Sequence, residues 1–467
     1  MSTFSGLSTA ATALNAARRG MDLVGQNIAN QTTQGYTRQR LETSALSAVA
    51  LSGRFSTGPV PGQGVSIDGI ARLGDGVLDA RVRDTLAASG YWSTKANAAA
   101  TAESALAEPT TDGLADRLSR FWAGWQDLAN TPDSPASAAV LLSSAEGLVA
   151  RIADGYRDVA AQWSAARTSA DRMVMQIHTA ATEIAQLNGA IRESIGSGAP
   201  ANELIDRRDL LAQNVARLSG AVASSEPDGT LTLRVDGNAL VAGTSARRLV
   251  VEGPTSIEAG QPVTIAWETG GAAVVASGEL GGLLSVLAPA GEGGVLGELA
   301  SSYNALAANL ATAVNAQHQA GFTHDGTPGG AFFSQTVGVP AALGLVVVPT
   351  SRDGLALAGP GGGPLDSSNA DALARIGEQA GGPDAVWEGV VSWLAVATAG
   401  DARRASLAET SAVAAATAQQ SVAGVDGDEE TLTLLTYQTA YQAAARVLTA
   451  VDEALDVLIN RTGVVGR

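Results

Sequence analysis

Three histidines, a single lysine and no cysteine limit the chemistry open to this 467-residue chain. His178 is followed by Thr179-Ala180-Ala181-Thr182, so it does not open the HExxH pattern of a zinc hydrolase. His318 and His324 stand six residues apart with Asp325 beside the second. A metal site needs further ligands at fixed spacing, and the two read as solvated or loop histidines. The missing cysteines remove disulfides, thiolate metal sites and a thiol nucleophile. Lys95 is the one possible anchor for a phosphate-binding GxxxxGK[ST] loop, and Thr94-Lys95-Ala96 lacks both the preceding Gly and the following hydroxyl. In Gly359-Pro360-Gly361-Gly362-Gly363-Pro364 prolines interrupt the glycines and no helix opens directly after them, so the segment reads as a flexible loop. No G-x-S-x-G elbow occurs, and the carboxylates are too scattered to nominate an acid/base pair. Asp206, Arg207, Arg208 and Asp209 lie between Leu204-Ile205 and Leu210-Leu211, a pattern that i,i+3 ion pairs on a helix surface explain. Trp122 and Trp125 share one helical face and read as core. No catalytic residue, cofactor or metal is expected, and the chain reads as a structural or binding protein rather than an enzyme.

The balance of the whole chain agrees. With 29 basic and 46 acidic residues the net charge is −17, which repels phosphate backbones and argues against nucleic acid as a partner. Hydrophobic residues make up 45%, enough for a sizeable core. The length suggests about three domains at ~150 residues each. Aromatic residues are only 4%, while alanine blocks recur at 98–100, 414–416 and 443–445. Such small side chains let helices approach closely and favour helix. No segment reaches the ~20 consecutive apolar residues of a membrane span. The stretch Val337 to Val348 is broken by Gly338, Pro340 and Gly344. The start of the chain has no run suited to a cleavable signal, and Arg18-Arg19 is followed by Gly20-Met21-Asp22, which is no twin-arginine signal. These criteria alone place the protein in the cytosol, with no membrane insertion.

The elements that must carry any function lie at the two ends. Residues 2–30 read as one helix in which Leu7, Leu14, Met21 and Ile28 recur every seven residues, with Ala10, Ala17 and Val24 three later. Near the other end, Asp426, Asp428, Glu429 and Glu430 precede a second seam, Leu434, Tyr441, Leu448 and Leu455, with Tyr437, Ala444, Val451 and Leu458 three later. Acidic residues suit a helix start, where Asp can cap. A heptad seam drifts by about 20° per repeat on an ordinary helix, so periodicity alone fits either a coiled coil or a plain amphipathic helix. Seams at both ends, however, point to ends that pack on each other, on neighbouring subunits, or on both.

Between them, helices are expected over 75–107, 112–130, from Ser134-Pro135 to about 196, and 202–218. From 223 to 280 the pattern turns to period two, with turn chemistry at Asp236-Gly237-Asn238, giving a small β domain. Helix resumes over 280–318 and 384–422 around a Gly/Pro-rich irregular insertion, 334–384. The expected fold is mainly α with an inserted β domain, elongated and nested. Its layers are a terminal assembly domain from 1–72 and 425–467, a helical bundle from 73–222 and 281–424, and the β domain. A frayed tail, 463–467, is expected at the end.

The segment Asn27-Ile28-Ala29-Asn30-Gln31-Thr32-Thr33-Gln34-Gly35-Tyr36 resembles the motif after the N-terminal helix of flagellar axial proteins, the rod, hook and hook-associated superfamily. Thr32 stands where Asn is usual and Gln34 where Pro is usual. Gly424-Val425-Asp426, Asp428-Glu429-Glu430 and Tyr437-Gln438-Thr439-Ala440-Tyr441-Gln442-Ala443-Ala444-Ala445-Arg446 closely resemble the hook-associated protein 1 family. The segments Asn202 to Asp209, Gly278 to Leu283, and Asn315 to Phe322 with Phe332-Phe333 look like that family's interior, whereas 334–384 matches poorly. The resemblance implies a junction between flexible hook and rigid filament, exported unfolded through the type III channel and refolding beneath the filament cap. It implies as partners further copies of the chain, hook protein, a second junction protein and flagellin on the filament side, and a cytoplasmic export chaperone on the C-terminal helix. It moves the expected location from the cytosol to the flagellum outside the cell, after a transient cytoplasmic stage. The terminal helices would then order on assembly, with an interface on Leu7, Leu14, Met21, Ile28, Leu434, Tyr437, Tyr441, Leu448, Val451, Leu455 and Leu458. Asn27, Asn30, Gly35 and Tyr36 carry the family motif. Another axial protein, hook or distal rod, is the alternative, followed by a ligand-binding or enzymatic module in the β domain.

Overall fold

The computed structural model describes residues 3–47 and 62–461. The Gly58-Pro59 part of the early loop and the tail from 463 lie outside the described residues. The chain opens with α1 (Thr3–Ala29) and a hairpin of β1 (Gln39–Ala45) and β2 (Val65–Arg72), whose register breaks at a bulge between Glu42 and Thr43. Three helices follow: α2 (Gly76–Leu106), α3 (Leu114–Asn130) and the 62-residue α4 (Pro135–Gly196). The start of α4 is fixed locally. The Ser134 hydroxyl accepts from the Ser137 N–H at 3.1 Å, and Pro135 occupies the first turn, where its missing N–H costs nothing. By length and composition α4 could cross a bilayer. Its buried stripe from Leu141 to Ile191 instead forms one wall of the protein's own core.

After α5 (Asn202–Ser219) come seven short strands: β3 (Val222–Ser225), β4 (Leu231–Val235), β5 (Asn238–Ala242), β6 (Ser245–Ala246), β7 (Leu249–Glu252), β8 (Thr264–Trp267) and β9 (Ala272–Ala273). They form two antiparallel sheets, β3-β4-β5-β6 and β7-β8-β9. The β4–β5 turn is Asp236-Gly237 with φ of 50° and 73°, the left-handed pair a tight hairpin requires.

The helix expected over 280–318 is two helices, α6 (Gly278–Leu287) and α7 (Val295–Gln319). Between them Pro289 cannot donate a backbone bond, and Gly291 and Gly293 take φ of 84° and 85°. The remaining elements are β10 (Phe333–Gln335), α8 (Ala341–Gly344), β11 (Leu345–Val347), α9 (Ser368–Ala374), α10 (Pro383–Ala423) and α11 (Gly427–Asp456), closed by a π turn at Val457–Arg461. Within 334–384 the backbone is irregular, yet Leu345, Leu355, Ala356, Leu357, Leu373 and Ile376 are buried in or against the main core.

Helices pair in nested order, α1 with α11 and α2 with α10. The inner pair is antiparallel and polar-tied: Ser89 Oγ donates to Glu409 Oε2 at 2.7 Å, and Gln419 Nε2 to Asp79 Oδ1 at 2.5 Å. An aromatic cluster in the core joins Phe121 and Trp125 of α3 to Phe332, with the Trp125 and Phe332 rings 5.3 Å apart. Trp122 donates its indole N–H to Asp384 at 2.7 Å; burial pushes the Asp384 carboxyl up, and this bond opposes the rise.

His318 corrects the sequence reading, because it is fully buried rather than solvated. Its Nε2 accepts from the Ala356 N–H at 3.0 Å, so the proton sits on Nδ1 and is donated to the Gly330 carbonyl at 2.8 Å. Burial lowers its pKa and the Gly330 bond opposes this, so the ring is a neutral pin between α7 and two loops. His324 is part-exposed beside Asp353, as a loop histidine should be.

Candidate assembly interface

The helices α1 and α11 run antiparallel. A Cβ on Gly6 would touch Val451 at 3.5 Å, Gly20 lies under the ring of Tyr437, and Asn27 bonds Glu430 at 3.0 Å. Leu7, Leu14 and Met21 are half-buried along this contact, and Ala10, Ala17 and Val24 are buried. On α11, Leu434, Tyr437, Tyr441, Leu448, Val451 and Leu455 are half-buried, and Ala444 is buried. Residues of both expected seams therefore lie along one helix pair within the chain, in which α1 presents Gly6, Gly20 and Asn27 to α11. Ile28 (37% exposed) and Leu458 (59% exposed) stand outside the contact. Ala16 and Leu23 are also buried on α1, where the helix packs against β1 and β2, so its apolar face is wider than the heptad seam.

At the body end of the pair the apolar seam gives way to a buried polar network. Asn27, 1% exposed, donates Nδ2 to the Gln39 carbonyl at 2.9 Å and takes the Gln39 N–H on Oδ1 at 3.1 Å. One side-chain amide thus closes both backbone groups of Gln39, as a neighbouring strand would. Tyr36 donates its hydroxyl to the same Oδ1 at 2.8 Å. The Tyr36 phenol is raised to about 12, first by burial and then by the negative charges of Asp206, Glu203 and Glu430. Asn30 caps back onto the Gln26 carbonyl at 3.0 Å and accepts from the Thr33 hydroxyl at 3.1 Å. Gly35 takes φ of 80°, and a Cβ there would press on Leu210 at 3.3 Å. Only glycine meets both demands at low cost.

Arg38 forks across the start of α11, reaching Glu430 with Nε and Glu429 with Nη1, both at 2.6 Å. Burial works against its charge, and the two carboxylates outweigh burial and hold it charged above its usual range. Asp426 caps α11, accepting from the N–H groups of Asp428 at 2.9 Å and Glu429 at 3.3 Å.

The charged stretch of α5 corrects the surface-pair reading. Asp206 is 7% exposed and Arg208 5%. Asp206 accepts from the Thr37 N–H at 3.2 Å and pairs with Arg72 at 2.7 Å. Burial pushes its carboxyl up, and Arg72 draws it back. Arg208 donates to the Gly229 carbonyl at 2.7 Å. Of the four charges, Arg207 alone is well exposed, in an ion pair with Glu183. Beside this junction lies a cleft of about 300 Å³ lined by Asn30, Gly35, Tyr36, Glu203, Asp206 and Leu210. Among the described residues, no group of three or more His, Asp or Glu side chains is placed to hold a metal.

The motif residues Asn27, Asn30, Gly35 and Tyr36 thus come together at one joint. Sequence reading missed Gly20, Arg38, Glu430 and Asp206 as members of the interface. A glycine inside a helical pattern was the available signal for the first. The others bond partners far away in sequence and leave no local trace.

Residues 99–333 match the family described as flagellar hook-associated protein FlgK helical domain. Residues 419–461 match the flagellar basal body rod FlgEFG protein C-terminal family. The chain is 28% identical to flagellar hook-associated protein 1 of Bacillus subtilis over 512 aligned positions, covering 100% of both. It is 30% identical to flagellar hook-associated protein 1 of Salmonella typhimurium over 331, which spans 69% of this chain and 58% of that one. Its fold is similar to that of the flagellar hook junction protein FlgK from Burkholderia pseudomallei, with a TM-score of 0.62 at 15% identity over 74% of this chain and 100% of that one. Paired terminal helices on a mainly helical body, together with these matches, define a structural protein of the flagellum. The chain belongs to the flagellar hook-associated protein 1 (FlgK) family.

Proposed function

We propose that this chain joins hook to filament and self-assembles at the distal end of the hook. One observation carries the reading. When α1 covers the seam of α11, a second uncharged stripe stays open on α11: Leu432, Thr436, Ala443, Val447, Ala450 and Ala454, with Leu432 66% and Val447 51% exposed. A helix with two apolar stripes meets a second helix on each. The occupant of the open stripe is a further copy of this chain, because one repeated head-to-tail contact builds a helical array. The names of the relatives, hook-associated protein and hook junction protein, support the hook as a neighbour. The partners in this reading are hook protein, a second junction protein, flagellin, the filament cap and an export chaperone on α11, with export in an unfolded state to a final place outside the cell. A chain without cysteine suits that route, since no disulfide can trap it in transit. No catalytic step is part of this role. The terminal segments 1–72 and 425–467 serve as the assembly domain, and the helical bundle with its β domain serves as the outer body.

Deletion of the chain tests the reading by electron microscopy of the cells. Intact hooks without filaments are expected. The match of 419–461 to the rod-protein C-terminal family favours a second reading, hook or distal rod. Rods without hooks would support that second reading and overturn the first.

A further inference from the structure

Where the terminal helix pair meets the body, the segment that follows α1 and the link from α10 into α11 meet at one buried carboxylate. After α1 the inbound chain touches the body at Thr37 and Arg38, returns along α1 as the β1–β2 hairpin and enters α2 after Arg72, while the outbound crossing leads from α10 through Gly424 and Asp426 into α11. Gly424 (φ −74°, ψ 155°) and Asp426 (φ −94°, ψ 117°) are extended, so no helix stiffens the outbound link. Glu430 lies one turn into α11 and is 1% exposed. Its Oε1 accepts from Arg38 Nε at 2.6 Å and its Oε2 from Asn27 Nδ2 at 3.0 Å. One oxygen is therefore held by α1 itself and the other by Arg38, in the segment that follows α1. The Arg38 N–H donates to the Ala423 carbonyl at 2.8 Å, at the last residue of α10. The neighbouring Thr37 is tied to Asp206 of α5.

Holding the two helices together does not call for this arrangement, since their seam is apolar over most of its length. A buried ion pair is also a weak source of stability beside apolar residues of similar volume. What a doubly held carboxylate adds is direction, because two bonds at fixed angles leave its helix one orientation. We propose that Glu430 is the positioning residue that sets the direction in which α11, and with it the terminal pair, leaves the body, with Asn27 and Arg38 as its holders. Without it the outbound link is a short extended hinge. The inference rests on contacts within one chain, so it stands or falls separately from the assembly reading.

The absence of native cysteine gives a clean test. Nitroxide labels on Val140→Cys in α4 and Gln442→Cys in α11, both exposed positions, report body-to-pair distance by electron–electron double resonance. Labels on Asn15→Cys and Gln442→Cys report the pair itself. Glu430→Ala and Arg38→Ala are each expected to widen the body-to-pair distribution about twofold while leaving the distribution within the pair unchanged. Glu430→Gln keeps one acceptor oxygen and is expected to fall between wild type and Glu430→Ala. An unchanged body-to-pair width in both alanine variants overturns the assignment. So does a widened distribution within the pair in both, which would make Glu430 a residue that holds the helices together rather than aims them.

Discussion

Gly20 of α1 lies flat against the ring of Tyr437 of α11, so close that any Cβ at this position would overlap the ring. Inside a helix, glycine costs about 1 kcal/mol relative to alanine. The close approach of the two helices is the physical reason to carry that cost. Gly20→Ala is expected to weaken the pair by about 1–3 kcal/mol through overpacking, despite its better helix propensity. Adding Tyr437→Ala should restore part of the loss. Amide hydrogen exchange across α1 and α11 measures both, and unchanged protection in Gly20→Ala would refute the close approach.

Tyr36 makes the joint sensitive to alkali. Its phenol is raised from 10.0 to about 12, so the folded state holds the proton more tightly than the unfolded chain does. The stabilisation is fully present below pH 10 and is lost as pH rises towards 12. Tyr303 is also raised to about 12, chiefly by burial, and adds its own loss in the same window. Unfolding measured against pH in wild type and Tyr36→Phe separates the two. The variant should lose about 1 kcal/mol at neutral pH, from the missing bond to Asn27, and show a shallower alkaline decline. Parallel pH curves would refute the assignment to Tyr36.

Arg72 compensates a carboxylate that burial disfavours. Arg72→Leu leaves Asp206 with the Thr37 N–H but without its guanidinium, and should cost about 3 kcal/mol at neutral pH. The sign with pH is opposite to that of a carboxylate whose pKa folding depresses. A folded pKa above the unfolded value means that folding takes up a proton, so the deficit of the variant shrinks as pH falls through the raised value. Denaturant unfolding of wild type and variant across the acid range checks this, and a deficit that grows on acidification would count against it.

What the sequence made legible was local or periodic. The Ser134-Pro135 start of α4 and the Asp426 cap of α11 were readable because each cap satisfies N–H groups two or three residues away. The two seams were readable because seven-residue spacing survives in one dimension. His318 was not, since its two partners, Gly330 and Ala356, come from loops that only the fold brings to α7. The joint was readable only in part. Asn27 and Tyr36 stood out by resemblance, whereas Glu430 lies hundreds of residues from the Arg38 and Asn27 groups that hold it. In one dimension it is simply one of several acids at a helix start. Asp206 was misread for the same reason, because a helix-surface pair and a buried tie share one local pattern.

Two adjacent residues on α11 separate pairing within the chain from contact between copies. Leu448 is half-buried in the α1 contact, while Val447, about 100° further round the helix, is 51% exposed on the open stripe. Leu448→Asp places a charge in the seam. It should loosen the pair, raise hydrogen exchange in α1 and α11, leave the body folded and block incorporation into flagella. Val447→Glu can extend its carboxylate into solvent in the single chain, so stability should stay within about 0.5 kcal/mol of wild type. In an array the same carboxylate would be carried into the apolar stripe that meets the neighbour, so incorporation should fall as far as in Leu448→Asp. Electron microscopy of complemented cells, set beside thermal unfolding of each purified variant, reads both quantities. Wild-type filaments on Val447→Glu would show that the open stripe of α11 meets no neighbouring copy, and the contact would then have to be sought on another face of the terminal pair.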